Sequence, residues 1–178
     1  MSLNCDVLIA GGGVVGLAVG KELLVSNPKL KVVVIEKERT LGFHASGRNS
    51  GVLHAGFYYS PDSLKAKFCR EGNRELRELC QRDSIPVINT GKIVVAKNNT
   101  ELNELEKLYL RGLQNDVKIE LLEEKQLKEY EPYARTHQRF LWSPTTGVSD
   151  PHAVIGALSK EFMDLGGKGV WKKTFYKK

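Results

Sequence analysis

The sequence predicts an α/β protein that opens with a parallel βαβ unit and continues into mixed α and β elements. Three observations predict it. A short apolar run, residues 5–10, ends in Gly11-Gly12-Gly13; a helical stretch, Val14–Ser26, follows at once; a second apolar run, Lys31–Glu36, comes after the Asn27-Pro28 stop. Apolar runs of about 4–8 residues bounded by turn residues read as buried strands. Two strands joined by a helix run parallel, because the crossover carries the chain back to the end where it started. The β-branched character of Val32, Val33, Val34 and Ile35 suits a strand covered on both faces.

The later elements follow from period and punctuation. Residues 37–60 show no period and carry Gly42, Gly47, Gly51 and Gly56, so a long ordered loop is expected, of the kind that usually has a function. Ser60-Pro61 reads as a helix start, with serine as the cap and proline in the first turn. Leu64, Phe68, Leu76, Leu79 and Cys80 then fall on one helical face. Residues 86–96 read as two strands turning at Thr90-Gly91. Leu102, Leu105, Tyr109 and Leu113 mark another amphipathic helix, Lys118–Leu122 a strand, and Glu124–Tyr130 a short helix stopped by Pro132. Phe140–Trp142 and Gly147–Val148 flank a turn at Pro144, and Ile155, Leu158, Phe162 and Leu165 mark a last helix ended by Gly166-Gly167.

Bulk composition removes several classes of function. At 178 residues, 41% hydrophobic and 27% charged, the chain reads as globular. Its formal charge is +6, but residues 168–178 hold five lysines and no acid, which leaves +1 for the rest. A basic tail is not the charged stripe along a folded face that nucleic acid requires, so no nucleic-acid partner is expected. Cys5, Cys69 and Cys80 form neither a CxxC motif nor a disulfide framework. Cys69 and Cys80 share one expected helix and stand roughly 16 Å apart along it, too far to bond. No metal site is expected. The longest apolar run, Val7–Gly20, has 14 residues, too few to span a bilayer, and it lacks the basic leader of a signal peptide. A cytoplasmic location is therefore expected, with peripheral membrane contact left open.

The turn after the first strand has the spacing Gly11-x-Gly13-x-x-Gly16. In a Rossmann-like unit the first glycine allows a tight turn, the second lets the backbone approach a pyrophosphate, and the third lets helix and strand pack closely. The helix N-terminus adds free N–H groups and the positive end of a dipole. Glu36 ends the second strand 20 residues after Gly16, where a carboxylate accepts hydrogen bonds from the adenosine ribose, and Lys37 beside it joins the cofactor-binding set. A nicotinamide domain would continue from the second strand into another crossover helix and a third parallel strand. Here the second strand runs into the glycine-rich loop, which favours FAD, a larger cofactor that a second segment must wrap. Ser46, Arg48, Asn49 and Ser50 in that loop suit hydrogen bonds to the pyrophosphate and ribityl chain, with Arg48 able to fork onto a phosphate or carboxylate; turn chemistry alone is the competing explanation.

The stretch HASGRNSGVLHAGFYYSPDSLKAKFC, residues 44–69, resembles the L-2-hydroxyglutarate oxidase/dehydrogenase family. This is a branch of the FAD-dependent enzymes that include D-amino-acid, glycine and sarcosine oxidases. The resemblance covers residues 1–167. It is carried by Asn49-Ser50-Gly51, His54-Ala55-Gly56 and the run from Tyr58 to Lys67, with support from Ser143-Pro144-x-Thr146-Gly147-Val148-x-Asp150. It implies a flavoprotein that oxidises a small 2-hydroxy acid, L-2-hydroxyglutarate to 2-oxoglutarate, and passes electrons to an acceptor the sequence does not identify. It also implies that His54 lies beside the flavin, where a histidine poised near neutral pH serves as the base for the hydroxyl proton. Tyr58, Tyr59 and Lys65 would face the substrate, although Lys65 reads equally as a solvated helix lysine. His44 precedes Ala-Ser-Gly, a context in which some amine-oxidising relatives attach flavin covalently; a non-covalent flavin contact is the other reading. His137 and His152 read as ordinary surface residues.

Many members of the resembled family have histidine before Asn-Ser-Gly, whereas this chain has Arg48. That departure keeps an FAD-dependent amino-acid or amine oxidase in view. The expected organisation is an FAD-binding portion over 1–85, to which 143–167 return, the start of an incomplete substrate domain over 86–142, and a lysine-rich tail of uncertain structure over 168–178. Members of the resembled family are longer, so the chain reads as a fragment or the product of a truncated or shifted frame. A non-catalytic cofactor-binding fragment is the third reading.

Overall fold

A computed structural model describes residues 4–172. In chain order the elements are β1 (Val7–Ala10), α1 (Val14–Ser26), β2 (Val32–Ile35), β3 (Val52–Leu53), α2 (Leu64–Arg82), β4 (Val87–Ile88), β5 (Lys92–Val95) and α3 (Asn99–Gln114). They continue with β6 (Glu120–Glu123), a 3-10 turn (Glu124–Gln126), α4 (Leu127–Tyr130), β7 (Arg139–Ser143), β8 (Gly147–Ser149), α5 (Pro151–Asp164) and β9 (Lys168–Val170). The chain forms two compact units. The first takes residues up to Gly51, residues 83–85 and the segment from Asp150 onward; the second takes Val52–Arg82 and Pro86–Ser149. The division thus falls at Gly51, where the sequence places it at residue 85, and α2 groups with the second unit.

The first unit holds a parallel sheet in the order β1-β2-β9. Val7 pairs with Val32 and Ala10 with Ile35, while Val33 pairs with Lys168 and Ile35 with Val170. All four residues of β2 are buried, which is why that strand needs apolar side chains on both faces. The third parallel strand is therefore present, but it comes from the far end of the chain. Residues 168–170, expected to lie in a tail of uncertain structure, are the strand β9. The Glu36 N–H donates to the Val170 carbonyl at 3.0 Å and the Lys172 N–H to the Glu38 carbonyl at 3.2 Å. Residues 173–178, the rest of the expected tail, lie outside the described residues.

Helices α1 and α5 pack on each other, and glycines set how closely. A Cβ at Gly20 would lie 2.8 Å from the Phe162 ring, and Phe162, like Leu17 and Leu24 of α1, is fully buried. The α5 N-terminus is capped by Asp150, whose Oδ1 accepts from the His152 N–H at 2.8 Å, with proline in the first turn. Its C-terminus closes through Gly166 N–H to Met163 O at 2.9 Å and Gly167 N–H to Phe162 O at 3.0 Å. This is a Schellman pair with Gly166 in the left-handed region at φ +95°.

The second unit contains two antiparallel sheets, β3-β8-β4 and β5-β7-β6. The strands flanking Thr90-Gly91 do turn there, with Gly91 at φ +64°, yet they form no hairpin: β4 pairs with β8 and β5 with β7. Likewise β7 and β8, on either side of Pro144, belong to different sheets. Helix α3 covers the second sheet, and Phe57, Leu102, Leu105, Val117, Ile119 and Leu141 form the core between them. Asn98 caps α3 by accepting from the Glu101 N–H at 3.0 Å. Helix α2 starts later than Ser60-Pro61 indicates. The left-handed Asp62, at φ +63°, interrupts the turn, and Ser63 is the cap, its Oγ accepting from the Ala66 N–H at 3.1 Å.

Truncating Phe162 to alanine empties the contact with Gly20 and Gly167 and is expected to cost about 3–5 kcal/mol. Urea denaturation followed by circular dichroism reads this as a lower midpoint at unchanged slope. A loss under about 1 kcal/mol would show that the α1–α5 contact does not depend on this ring.

Candidate cofactor site

The turn from β1 into α1 is shaped by what its glycines lack. Gly11 sits at φ +115°, a conformation that L side chains rarely adopt, and its N–H donates to the Ile35 carbonyl at 2.8 Å. A Cβ on Gly16 would collide with the Gly11 carbonyl, so the third glycine sets the closeness of helix and strand. A Cβ on Gly13 would come within 2.8 Å of Ser46 Oγ. Gly13 is also the N-cap of α1 and supplies no side-chain cap, and the helix has no acid in its first turn. The positive helix end is thus left for a ligand to neutralise.

Glu36 follows β2 directly and is 8% exposed. Its Oε2 accepts from the Gly12 N–H at 2.9 Å and its Oε1 from the Glu38 N–H at 2.9 Å. A carboxylate offers about four lone-pair sites, so two bonds to the backbone leave capacity for a ribose hydroxyl. The sequence points to Glu36 as a ligand-facing acid; the structure adds that it ties the glycine turn to the end of β2. Gly12, unremarked between the two motif glycines, is the residue it holds. The run of three consecutive glycines was the available signal.

The loop after β2 folds back on this turn. The Gly42 N–H donates to the Gly12 carbonyl at 3.0 Å, and the Val14 N–H donates to Ser46 Oγ at 3.1 Å. Gly42, at φ +62°, lies against Ile155, and a Cβ on Gly47 would stand 2.7 Å from the His152 ring. His152 is exposed, as the sequence reading of a surface residue expects, and its ring also lies against Gly47 of the loop. Together these segments line a cleft of about 470 Å³ that includes Gly11, Gly13, Glu36, Lys37, His44 and Ser46. Phe43 also lines it, and the Arg48 guanidinium stacks 4.4 Å from the centre of that ring.

Other expected residues stand elsewhere. Asn49 turns inward on its own loop, its amide donating to the Ala45 and Ser46 carbonyls at 3.2 and 2.8 Å. Ser50 is exposed and does not line the cleft, and Gly16 acts through packing. His54, Tyr58, Tyr59 and Lys65 are exposed residues of the second unit. The cleft also carries a small charge network. Lys37 Nζ and His44 Nε2 lie 3.1 and 2.9 Å from Glu38 Oε1. The Lys37 contact first, and His44 after it, hold the Glu38 carboxyl below its ordinary pKa.

A glycine turn at a helix N-terminus, beside a buried acid ending the neighbouring parallel strand, defines a dinucleotide-binding protein. The comparisons with known proteins narrow the class. The family model "FAD dependent oxidoreductase" matches residues 6–172, and the chain belongs to that family. It is 44% identical over 165 residues to "L-2-hydroxyglutarate dehydrogenase, mitochondrial" of Dictyostelium discoideum, covering 92% of this chain and 37% of that protein. The Homo sapiens protein of the same name is 41% identical over 163 residues, covering 91% of this chain and 35% of that one. The chain thus spans little more than a third of these relatives. Among solved structures, the dithionite-reduced, FAD-bound L-α-glycerophosphate oxidase of Mycoplasma pneumoniae superposes with a TM-score of 0.84 at 29% identity, over 96% of this chain and 45% of that one. Glycine oxidase from Geobacillus kaustophilus gives 0.78 at 25% identity, over 94% and 46%.

FAD is the cofactor of this family, and the first unit fits its ADP half: an open helix end, a glycine that admits close approach, and a buried acid with spare acceptor capacity. Gly13→Val puts a branched side chain into Ser46 and into the cleft, and is expected to abolish FAD retention through gel filtration, read at the flavin absorption band. Retention equal to the unmodified protein would remove the glycine turn from the cofactor site. A second expectation concerns charge. Since the folded-state pKa of Glu38 is lowered, its contacts stabilise the fold above the unfolded pKa and are lost as pH falls through the folded one. In Lys37→Ala the Glu38 titration, followed by NMR, should move upward, and further in Lys37→Ala/His44→Ala. No movement in either would show that these cations do not act on Glu38.

Proposed function

We propose that the protein containing this chain oxidises a small 2-hydroxy acid, L-2-hydroxyglutarate, to its 2-oxo acid. The observation that carries this reading is the 44% identity with a dehydrogenase named for that substrate, sustained over 92% of the chain. When bound, the flavin supplies the acceptor for the hydride from the substrate carbon. The chain's own residues do the rest. Gly11, Gly13 and Gly16 shape the phosphate turn, Glu36 receives the ribose, and Lys37, His44, Ser46, Arg48, Asn49 and Ser50 form the wall and loop around the cofactor. His54 takes the hydroxyl proton, so that the substrate loses one hydride and one proton. Lys65, Tyr58 and Tyr59 face the two carboxylates, for which a cation and phenolic donors are the matching chemistry.

An amine or amino-acid oxidase is the second reading. It is supported by Arg48 in the Ala-Ser-Gly-Arg-Asn context and by the likeness to glycine oxidase. Among the described residues no helix is long and apolar enough to cross a membrane. The cytoplasmic location expected from the sequence stands as a proposal beside the mitochondrial one in the relatives' names, and cell fractionation decides between them.

The flavin ring needs walls and a dry pocket as well as an ADP site. The 178-residue chain made alone is therefore expected to bind FAD weakly and to show no dye reduction with L-2-hydroxyglutarate. The full-length protein is expected to reduce the dye with L-2-hydroxyglutarate and to leave glycine, sarcosine and D-amino acids untouched. Turnover of an amine in its place would transfer the reading to the oxidases. Robust turnover by the 178 residues alone would make the short chain a complete enzyme.

A further inference from the structure

The segment that leaves β3 at Leu53 and runs as a loop from His54 to Tyr59 belongs to the second unit, yet its carbonyls are held as firmly as those of a strand. Asn73, on α2, donates from its amide to the Leu53 and His54 carbonyls, both at 3.0 Å. Asn115, at the end of α3, donates to the Gly56 carbonyl at 3.3 Å and the Tyr59 carbonyl at 2.9 Å. Arg111, one turn earlier, donates to the Tyr58 carbonyl at 2.9 Å. The Cys69 thiol, whose pKa burial raises, adds a 3.5 Å contact to the His54 carbonyl. The holders are themselves held. Arg77 Nε donates to Asn73 Oδ1 at 2.9 Å, which sets the amide so that its NH₂ faces the loop, and Arg70 donates to the Asn115 carbonyl at 3.2 Å. Arg77 is anchored in turn on Asn89 and on the Thr145 carbonyl, each at 2.7 Å.

This arrangement does more than a loop's stability requires. The buried Leu53 and Gly56 carbonyls need a protein partner in any case, but His54, Tyr58 and Tyr59 are exposed residues, and exposed backbone carbonyls are ordinarily satisfied by water. Here side chains from two helices take all five, at residues 53, 54, 56, 58 and 59. Asn115 is 6% exposed, so its amide is committed to the loop. The loop also contains Gly56 at φ +97°, which brings the chain over Cys69: a Cβ there would lie 3.5 Å from the Cys69 Cβ. Phe57 points into the core at 1% exposure, while Tyr58 and Tyr59 stand 38% exposed. A rigid backbone with one side chain buried and its neighbours displayed is what a preorganised site needs.

We propose that Asn73 and Asn115, with Arg77 and Arg111 behind them, are positioning residues that hold the 53–59 loop so that His54, Tyr58 and Tyr59 meet the substrate in one arrangement. The proposal rests on the functional reading above, which assigns those three side chains to the substrate.

The test uses Asn73→Asp in the full-length protein, which keeps the side-chain shape and removes both donors. Amide hydrogen exchange across residues 53–59 is expected to rise at least about tenfold, since two hydrogen bonds of about 1 kcal/mol each are lost, while α2 and α3 keep their protection. The His54 ring resonances are expected to shift. In the FAD-loaded enzyme kcat should fall about tenfold with KM changed far less, and the flavin absorption band should stay where it is. Should Asn73→Asp fail to fold, the half-exposed Arg111 replaces it: Arg111→Met should raise exchange at Tyr58 and Tyr59 and lower kcat in the same way. Unchanged exchange and His54 resonances, or raised exchange with an unchanged kcat, would overturn the proposal. The exchange and resonance readouts need neither substrate nor turnover. An unmodified protein that ignores L-2-hydroxyglutarate would defeat the functional reading while leaving the loop's restraint measured in its own right.

Discussion

The carboxylate of Glu36 accepts two backbone N–H bonds, from Gly12 and Glu38, at the point where β1, the glycine turn and the end of β2 meet. The rest of the first unit depends on that junction. Gly11 has already bonded to Ile35, so the turn is closed from both sides and cannot drift from the strand end. With the turn placed, α1 starts beside the cleft, Ser46 Oγ accepts from its first N–H, and Gly42 can reach back to the Gly12 carbonyl. A buried acid with only one partner would be costly. Here each carboxylate oxygen is satisfied by charge-assisted bonds to the backbone, so the group is both an element of the fold and a ready acceptor.

The two units solve the same problem by different means. In the first, Gly11 takes the left-handed turn and Gly16 lets the helix backbone approach the Gly11 carbonyl, beside a cleft lined by the turn and by the loop after β2. In the second, side-chain amides and guanidinium groups stand in for a missing strand and order a loop from outside. Both support irregular backbone on regular elements, the usual arrangement of loops on a rigid scaffold. The polar restraint in the second unit is the more sensitive to substitution, because a lost donor leaves a carbonyl facing a side chain that cannot bond it.

Similarity of fold reaches further than similarity of sequence. L-proline dehydrogenase from P. horikoshii superposes with a TM-score of 0.84 at only 19% identity, the same score as the glycerophosphate oxidase at 29%. At such identity the likeness speaks for the fold alone. What separates a hydroxy acid from an amine as substrate must lie in a few side chains around a shared frame.

By itself the sequence determined the βαβ unit, its helix bounds and its acid, because each has a local cause. Apolar β-branched runs make buried strands, Asn27-Pro28 stops a helix, and glycine spacing decides where backbone can touch backbone. Gly11, Gly13, Glu36, Lys37, His44 and Ser46, expected from the sequence in the cofactor set, line one cleft; the glycines and Glu36 were expected there from spacing, and His44 from the resemblance. Tertiary structure alone decided what depends on partners distant in the chain. Turn residues at Thr90-Gly91 and Pro144 show that the chain changes direction but not which edge it joins, so β4 and β5 entered different sheets, as did β7 and β8. The short run Lys168–Val170 has no strand signal of its own; it is a strand because β2 had an open edge beside it. Asn73, Asn115 and Arg111 carried no mark either, since a polar residue on a helix face looks the same whether it meets water or a carbonyl brought to it by a loop more than a dozen residues away.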